Sequence, residues 1–202
     1  PTIRLDLYEQ AEATLVITDT AIAPFYYYVN YRLARPDLDR TYRPFGGQHL
    51  DEWSFTGNPR SLELAWGYPT TLDPALSGPW GLDIYIDQLF LGLTDFDEDG
   101  NVVPELATDW EVSPDATVFT FTMRSDAFWT DGNPVTAYDV EYGVLRSLDP
   151  ATNGFEMAPS TIENAQAYNQ RDITDPDLVG VEPLDATHVR FTLAEPAAYF
   201  PA

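Results

Sequence analysis

The sequence predicts an α+β fold of mixed small sheets with packed helices, and three observations carry that expectation. Residues 118–123 set Val118, Thr120 and Thr122 against Phe119, Phe121 and Met123, the period-two alternation of a half-buried strand. Residues 134–148, PVTAYDVEYGVLRSL, read as a helix, with Thr136 as a plausible N-cap and Asp139 three residues on as its acidic partner. The 202 residues are 44% hydrophobic and 14% aromatic, enough apolar side chain to close a core in one or two compact domains.

From residue 7 to 17 the apolar positions Leu7, Ala11, Leu15 and Val16 recur at helical spacing, with Asp6, Glu9 and Glu12 toward the helix start where the dipole favours acids. After a turn near Asp19, AIAPFYYYVN is dense in β-branched and aromatic residues and reads as a strand, with Pro24 near its start or at a sheet edge. Residues 35–60 are rich in Pro, Gly, Asp and Arg and read as a surface tail serving as a linker, with one strand-like piece at 49–55. SLELAWGY resumes as a strand that Pro69 ends, and DIYIDQLFLGL, residues 83–93, is apolar enough for a buried helix. LTDF and VVPELA are strands around a turn, followed by DWEVSPDATVFTFTMR. In WTDGNPVT, Asp131 and Gly132 make a tight turn and Pro134 opens the helix, with Trp129 as a core anchor. A weaker helix is expected at 161–168, and two short strands around a turn at 184–187 close the chain.

Charge bounds the function. Ten arginines, no lysine and 33 acidic residues give a net charge of −23, a field that repels nucleic acid and anionic membranes and suits a strongly hydrated surface. Solubility and adaptation to high salt, where ions screen dense carboxylates, both account for it. Without cysteine the chain has neither disulfides nor thiolate metal sites. No basic region followed by an apolar run stands near Pro1 and no long apolar window occurs, so neither a signal peptide nor membrane insertion is expected in this chain.

Motifs for catalysis are lacking: no GxSxG, P-loop, GxGxxG or zinc-ligand spacing occurs, and the two histidines, His49 and His188, stand far apart. A non-enzyme is expected. Asp95, Asp97, Asp99 and Gly100 match positions one, three, five and six of a calcium loop, but the twelfth position is Leu106, with Glu105 one residue out of place. The stretch reads either as an acidic hairpin turn or as a calcium site on Asp95, Asp97 and Asp99, calcium being the one cofactor the sequence raises.

Two segments then suggest an inverted order. AIAPFYYYVNYRLARP, residues 21–36, resembles the carboxy-terminal strand of the extracellular peptide- and nickel-binding proteins that feed ABC transporters. LELAWGYPTTLDPALSGPWGLDIYIDQLFLGL, residues 62–93, resembles their amino-terminal strand and first helix. TLDPA, LFLGLTDFDEDGNVVPELATDWEVSPD, FTFTMRSDAFWTDGNPVTAYDV, LRSLDPATN and GVEPLDATHVRFTLAEPAAYF follow in the family's order. The resemblance therefore implies three parts: residues 1–55 like the family's carboxy terminus, a joint at 56–61, and residues 62–202 like its amino terminus and accessory domain. A circular permutation, or a fragment of a tandem, would produce that order.

Relatives of this kind clamp a ligand between two lobes. By resemblance the chain is part of lobe one plus the accessory domain, an extracytoplasmic partner of an ABC permease. It would hold a peptide or other small solute only if a second lobe is supplied. The loop Ser77, Gly78, Pro79, Trp80 matches one that lies along the bound peptide in relatives, Tyr28 matches a cleft tyrosine near the hinge, and Phe155 sits close to an aromatic position beside the ligand. Core packing is the competing role for Tyr28 and Phe155. A structural or interaction domain that has kept the scaffold and lost the cleft is the alternative function.

Overall fold

A computed structural model of the chain describes residues 2–18, 35–41, 43, 48–58, 61–63, 67–69, 71–76, 83–152, 154 and 161–202. The chain divides into two compact units, Pro1–Pro36 and Asp37–Ala202. In the first, α1 (Thr2–Ala13) runs into a π-helical turn at Thr14–Thr18, and the Thr14 hydroxyl donates back to the Gln10 carbonyl at 2.9 Å. The helix expected from residue 7 is thus present and starts earlier. The expected tyrosine-rich strand lies outside the described residues, as do residues 64–66 of the strand expected at 62–68, whose described residues 62, 63, 67 and 68 are not in a strand.

The second unit is built on one antiparallel sheet. Strands β5 (Ala107–Val112), β6 (Val118–Met123), β7 (Val181–Pro183) and β8 (His188–Thr192) are ordered β5-β6-β8-β7. Along β6, Phe119, Phe121 and Met123 are buried and Val118, Thr120 and Thr122 half-buried, the face assignment the alternation predicts. Val189 and Phe191 of β8 are buried on the same cluster. Phe121 meets Phe191 edge-on at 5.7 Å between ring centroids, and Phe200 of the closing turn lies 5.2 Å from both Phe119 and Phe191.

Helix α3 (Ala137–Leu148) packs on β7 and β8 and contributes Ala137 and Leu148 to the core. Its start is set locally: the Asp139 carboxylate accepts from the Thr136 backbone N–H at 2.7 Å and from its hydroxyl at 2.8 Å. Helix α4 (Ala165–Asn169) is shorter than expected and buries Ala165. The chain end is tied in as well, since Leu193 N–H donates to Thr117 O at 2.8 Å and Ala197 N–H to Ala116 O at 3.0 Å.

Two small ladders accompany the sheet. β1 (Leu38–Asp39) pairs with β2 (Ser54–Phe55), with Arg40 5.8 Å above the Trp53 ring. β3 (Thr94–Phe96) pairs with β4 (Val102–Pro104) as an antiparallel hairpin. The helix expected over 83–93 is only five residues long: α2 is Asp83–Asp87, and Leu89 and Leu91 are exposed. The cause is backbone pairing, because Gly92 O accepts from Leu106 N–H at 3.0 Å and Leu93 O from Ala107 N–H at 2.9 Å. Residues committed to that extended ladder cannot continue a helix.

Gly180 stands where three backbones meet. It donates to Glu163 O at 2.9 Å and accepts from Thr192 N–H at 2.8 Å, and an added Cβ would lie 2.2 Å from Thr192 O and 3.0 Å from the Glu163 Cβ. Gly180→Ala is expected to lower stability by roughly 1–3 kcal/mol, the range for overpacking a fitted site, read as a drop in the urea unfolding midpoint. An unchanged midpoint would show that the Thr192 backbone yields freely.

The β7–β8 turn holds an acid-sensitive cap. The Asp185 carboxylate accepts from Thr187 N–H at 2.7 Å, from the His188 ring Nδ1 at 2.9 Å and from the Thr187 hydroxyl at 2.9 Å. These donors favour the ionised form and lower its pKa from 3.8 to about 2. A depressed pKa contributes stability that is complete above the unfolded value and is lost as pH falls through the folded one. Asp185→Asn is therefore expected to reduce the acid destabilisation that develops between pH 3.8 and about 2, and a carboxyl-carbon NMR titration should place the wild-type midpoint near the lower figure.

Candidate functional site

The TLDPA segment is pinned from two sides. Thr71 Oγ1 accepts from Asp73 N–H at 3.0 Å and Asp73 Oδ1 from Ala75 N–H at 3.1 Å, folding the chain into the 3-10 turn Pro74–Leu76. The Arg146 guanidinium of α3 then grips Asp73 with both terminal nitrogens, one at 2.7 Å from Oδ1 and the other on Oδ2. Hydrogen bonding to Arg146 holds the Asp73 carboxyl below its ordinary range. On the other side, a Cβ at Gly154 would fall 1.8 Å from Ala75 O, so only glycine allows the backbones of 75 and 154 to come this close. The segment leading into the expected ligand loop is thus tied to a core helix.

A polar recess of about 150 Å³ opens beside the β3–β4 hairpin, lined by His49, Asp87, Phe90, Gly92, Asp95 and Glu105 among others. The Asp95 carboxylate meets the Arg43 guanidinium and, at 3.0 Å, the His49 ring Nε2. Arg43 also holds Glu52 at 2.5 Å. Glu105 Oε2 accepts from Gly92 N–H at 2.6 Å. Burial pushes the Glu105 carboxyl up, the Asp95 charge adds to this, and the Gly92 hydrogen bond with the His49 and Arg43 charges opposes it. The recess is joined to residues 48–52 by two more bonds, Gln88 Nε2 to Gln48 O at 2.6 Å and Leu50 N–H to Gln88 Oε1 at 3.1 Å. Arg43 and His49, which fall in the stretch expected to be a linker tail, therefore pack on the hairpin.

Among the candidate calcium ligands, Asp97 spends its carboxylate inside the turn: Oδ1 accepts from Asn101 N–H at 2.7 Å and Asp99 N–H at 3.0 Å, and Oδ2 from the Asn101 side chain at 3.0 Å. Asp95 turns instead to Arg43 and His49, and Asp99 is exposed. Tyr28, Gly78, Pro79, Trp80 and Phe155 lie outside the described residues. His188 has a structural place, its ring on Asp185 in the β7–β8 turn.

Trp129 departs from expectation. It is 41% exposed rather than a core anchor, because the turn that returns Asn133 O to Trp129 N–H at 2.8 Å sets the ring on the outer side. With Leu89, Leu91, Phe128 and Val135 it lines an apolar recess of about 230 Å³. Nothing in the sequence marked Arg43, His49 and Glu105 as neighbours, since the Arg43–Asp95 contact spans 52 residues. The Asp73–Arg146 pair spans 73.

Comparison with known proteins places this architecture. A family profile, bacterial extracellular solute-binding proteins, family 5 Middle, matches residues 101–202, just over half of the chain and the whole of the four-stranded sheet. The chain belongs to this family. Its α+β fold is that of part of such proteins: the Escherichia coli murein tripeptide binding protein MppA superposes with a TM-score of 0.59 at 37% identity, over 65% of this chain and 26% of that one. A periplasmic oligopeptide-binding protein of an oligopeptide ABC transporter from Borrelia burgdorferi gives 0.61 at 34% identity, over 65% and 27%. In sequence, the dipeptide-binding protein DppE of Bacillus subtilis is 37% identical over 139 residues, 65% of this chain and 24% of its own length. The chain spans about a quarter of the length of these relatives. Family 5 members are solute-binding proteins rather than enzymes, and among the described residues no helix is long and apolar enough to cross a membrane.

The grip of α3 on TLDPA is open to test. Arg146→Gln is expected to lower the melting temperature at pH 7 modestly, the pair being partly solvent-screened, and to let the Asp73 pKa rise. Because the folded pKa of Asp73 is depressed, the ionised pair contributes above the ordinary 3.8 and not below the folded value. The difference between wild type and variant should close on acidification; a difference independent of pH would show that Arg146 acts through its apolar stem alone.

Proposed function

We propose that the chain is a partial substrate-binding module of the peptide-transport type, non-catalytic, and short of the second lobe that would close over a ligand. The observation that carries the binding-module reading is the likeness itself: 39% identity to the periplasmic murein peptide-binding protein MppA of Escherichia coli over 135 residues, 65% of this chain and 25% of that protein. Known relatives supply the ligand class, since one solved structure is the Haemophilus influenzae OppA complex with the peptide RPPGFSPFR. On this reading the solute is a peptide, the contacts are the 77–80 backbone with Gly78, Pro79 and Trp80, Tyr28 and Phe155, and the module works outside the cytoplasm with an ABC permease. The inverted order of residues 1–55 and 62–202 is read as a permutation or a tandem fragment, and the contacts of Arg43 and His49 with Asp95 of the β3–β4 hairpin support neighbouring ends having been joined.

A second reading rests on the exposed apolar recess at Leu89, Leu91, Phe128 and Trp129: a scaffold kept as an interaction domain. Calorimetric titration with mixed tri- and nonapeptides, beside a solution mass measurement, separates the two. A half-clamp is expected to give weak heat from the monomer, with Kd about 1 mM, roughly 4 kcal/mol, that disappears in Trp80→Ala. No heat would assign the interaction domain, and micromolar binding by a monomer would refute the need for a second lobe.

A further inference from the structure

We propose that His49, Asp95 and Glu105 form a binding site for one divalent transition cation of the Zn²⁺ type. One ligand atom from each lies within 4.8 Å of the others, all three residues are half-buried, and they face the recess of about 150 Å³ beside the hairpin. Imidazole plus two carboxylates suits cations of intermediate softness, whereas calcium and magnesium take oxygen ligands alone. The geometry is close to what such an ion needs. Tetrahedral ligands at ~2.1 Å stand about 3.4 Å apart, and His49 Nε2 is already 3.0 Å from Asp95 Oδ2, leaving a short closure by Glu105.

Two features distinguish this cluster from the general acidity of the surface. The three ligands come from three separate stretches, residue 49, strand β3 and the residue after β4, so tertiary structure gathers them. The Asp95 oxygen that faces His49 is the one that Arg43 contacts, and Arg43 has a second anchor in Glu52. A cation can take the place of Arg43 on that oxygen while the guanidinium stays on Glu52, so no arginine is left unpaired.

The test is a Zn²⁺ titration of the full chain against a chromophoric chelator, in about 0.15 M salt with millimolar Mg²⁺ to occupy surface carboxylates. One Zn²⁺ per chain is expected, with affinity falling at least about tenfold in His49→Ala and in Glu105→Gln, and unchanged in Asp126→Asn on the exposed surface. Glu105→Gln keeps an oxygen for the Gly92 N–H, so it decides the matter should His49→Ala fail to fold by circular dichroism. Absence of Zn²⁺ binding under Mg²⁺, or equal binding by wild type and Glu105→Gln, would overturn the site. So would preference for Ca²⁺ lost in Asp97→Asn, which would return the cation to the 95–99 turn.

Discussion

The structure of residues 37–202 depends on a sheet that is apolar on one side only. Strand β6 is its centre, paired with β5 on one edge and β8 on the other, and it sends three large side chains to the same face with Phe119 and Phe121 at 0% and 1% exposure. Each such side chain is worth roughly 1.5–3 kcal/mol when taken from water, so the face must be covered. What covers it follows: α3, with Ala137 and Leu148 against the core, α4 with Ala165, and the closing turn that lays Phe200 across Phe119 and Phe191. The opposite face, bearing Thr120 and Thr122, stays half open.

Much of that design was legible because its code is local. The alternation at 118–123 and the Thr136–Asp139 cap each lie within a few residues, and backbone geometry turns such spacing directly into a face or a helix start. The closing strands around Asp185 and Thr187 were readable for the same reason. Failures came where distant backbone or charge decided. Apolar pattern alone extended α2 to residue 93, but Gly92 and Leu93 had already been claimed by Leu106 and Ala107. Trp129 looked like a core residue by type, while the turn returning Asn133 to it set the ring outward. The polar recess was illegible altogether, since its members share no spacing rule.

Scarcity of positive charge shapes the rest. Against 33 acids, ten arginines cannot neutralise the surface, and several are spent on internal staples: Arg146 on Asp73, Arg43 on Asp95 and Glu52, Arg190 on Glu182. Each of these is valued less as an exposed ion pair, which contributes little, than as a positional constraint. Arg146 fixes where the TLDPA segment leaves the core, and Arg43 ties Glu52 to Asp95 of the hairpin. The guanidinium suits this use because its planar fork can hold one carboxylate with two nitrogens or bridge two of them.

The hairpin shows why such a constraint works in both directions. Asp95 and Glu105 approach each other in a half-buried recess, where burial disfavours the ionised form of Glu105 and the neighbouring Asp95 charge adds to this. Among the described residues Gly92 N–H serves Glu105, while Arg43 and His49 supply the contacts to Asp95. Detaching Arg43 and His49 would leave Asp95 without these two contacts beside Glu105, and removing one member of a partly buried pair costs more than the intact pair contributes. Asp95 therefore holds Arg43 and His49 in place as firmly as they stabilise it. This mutual dependence joins two parts of the chain that local sequence pattern treats as unrelated.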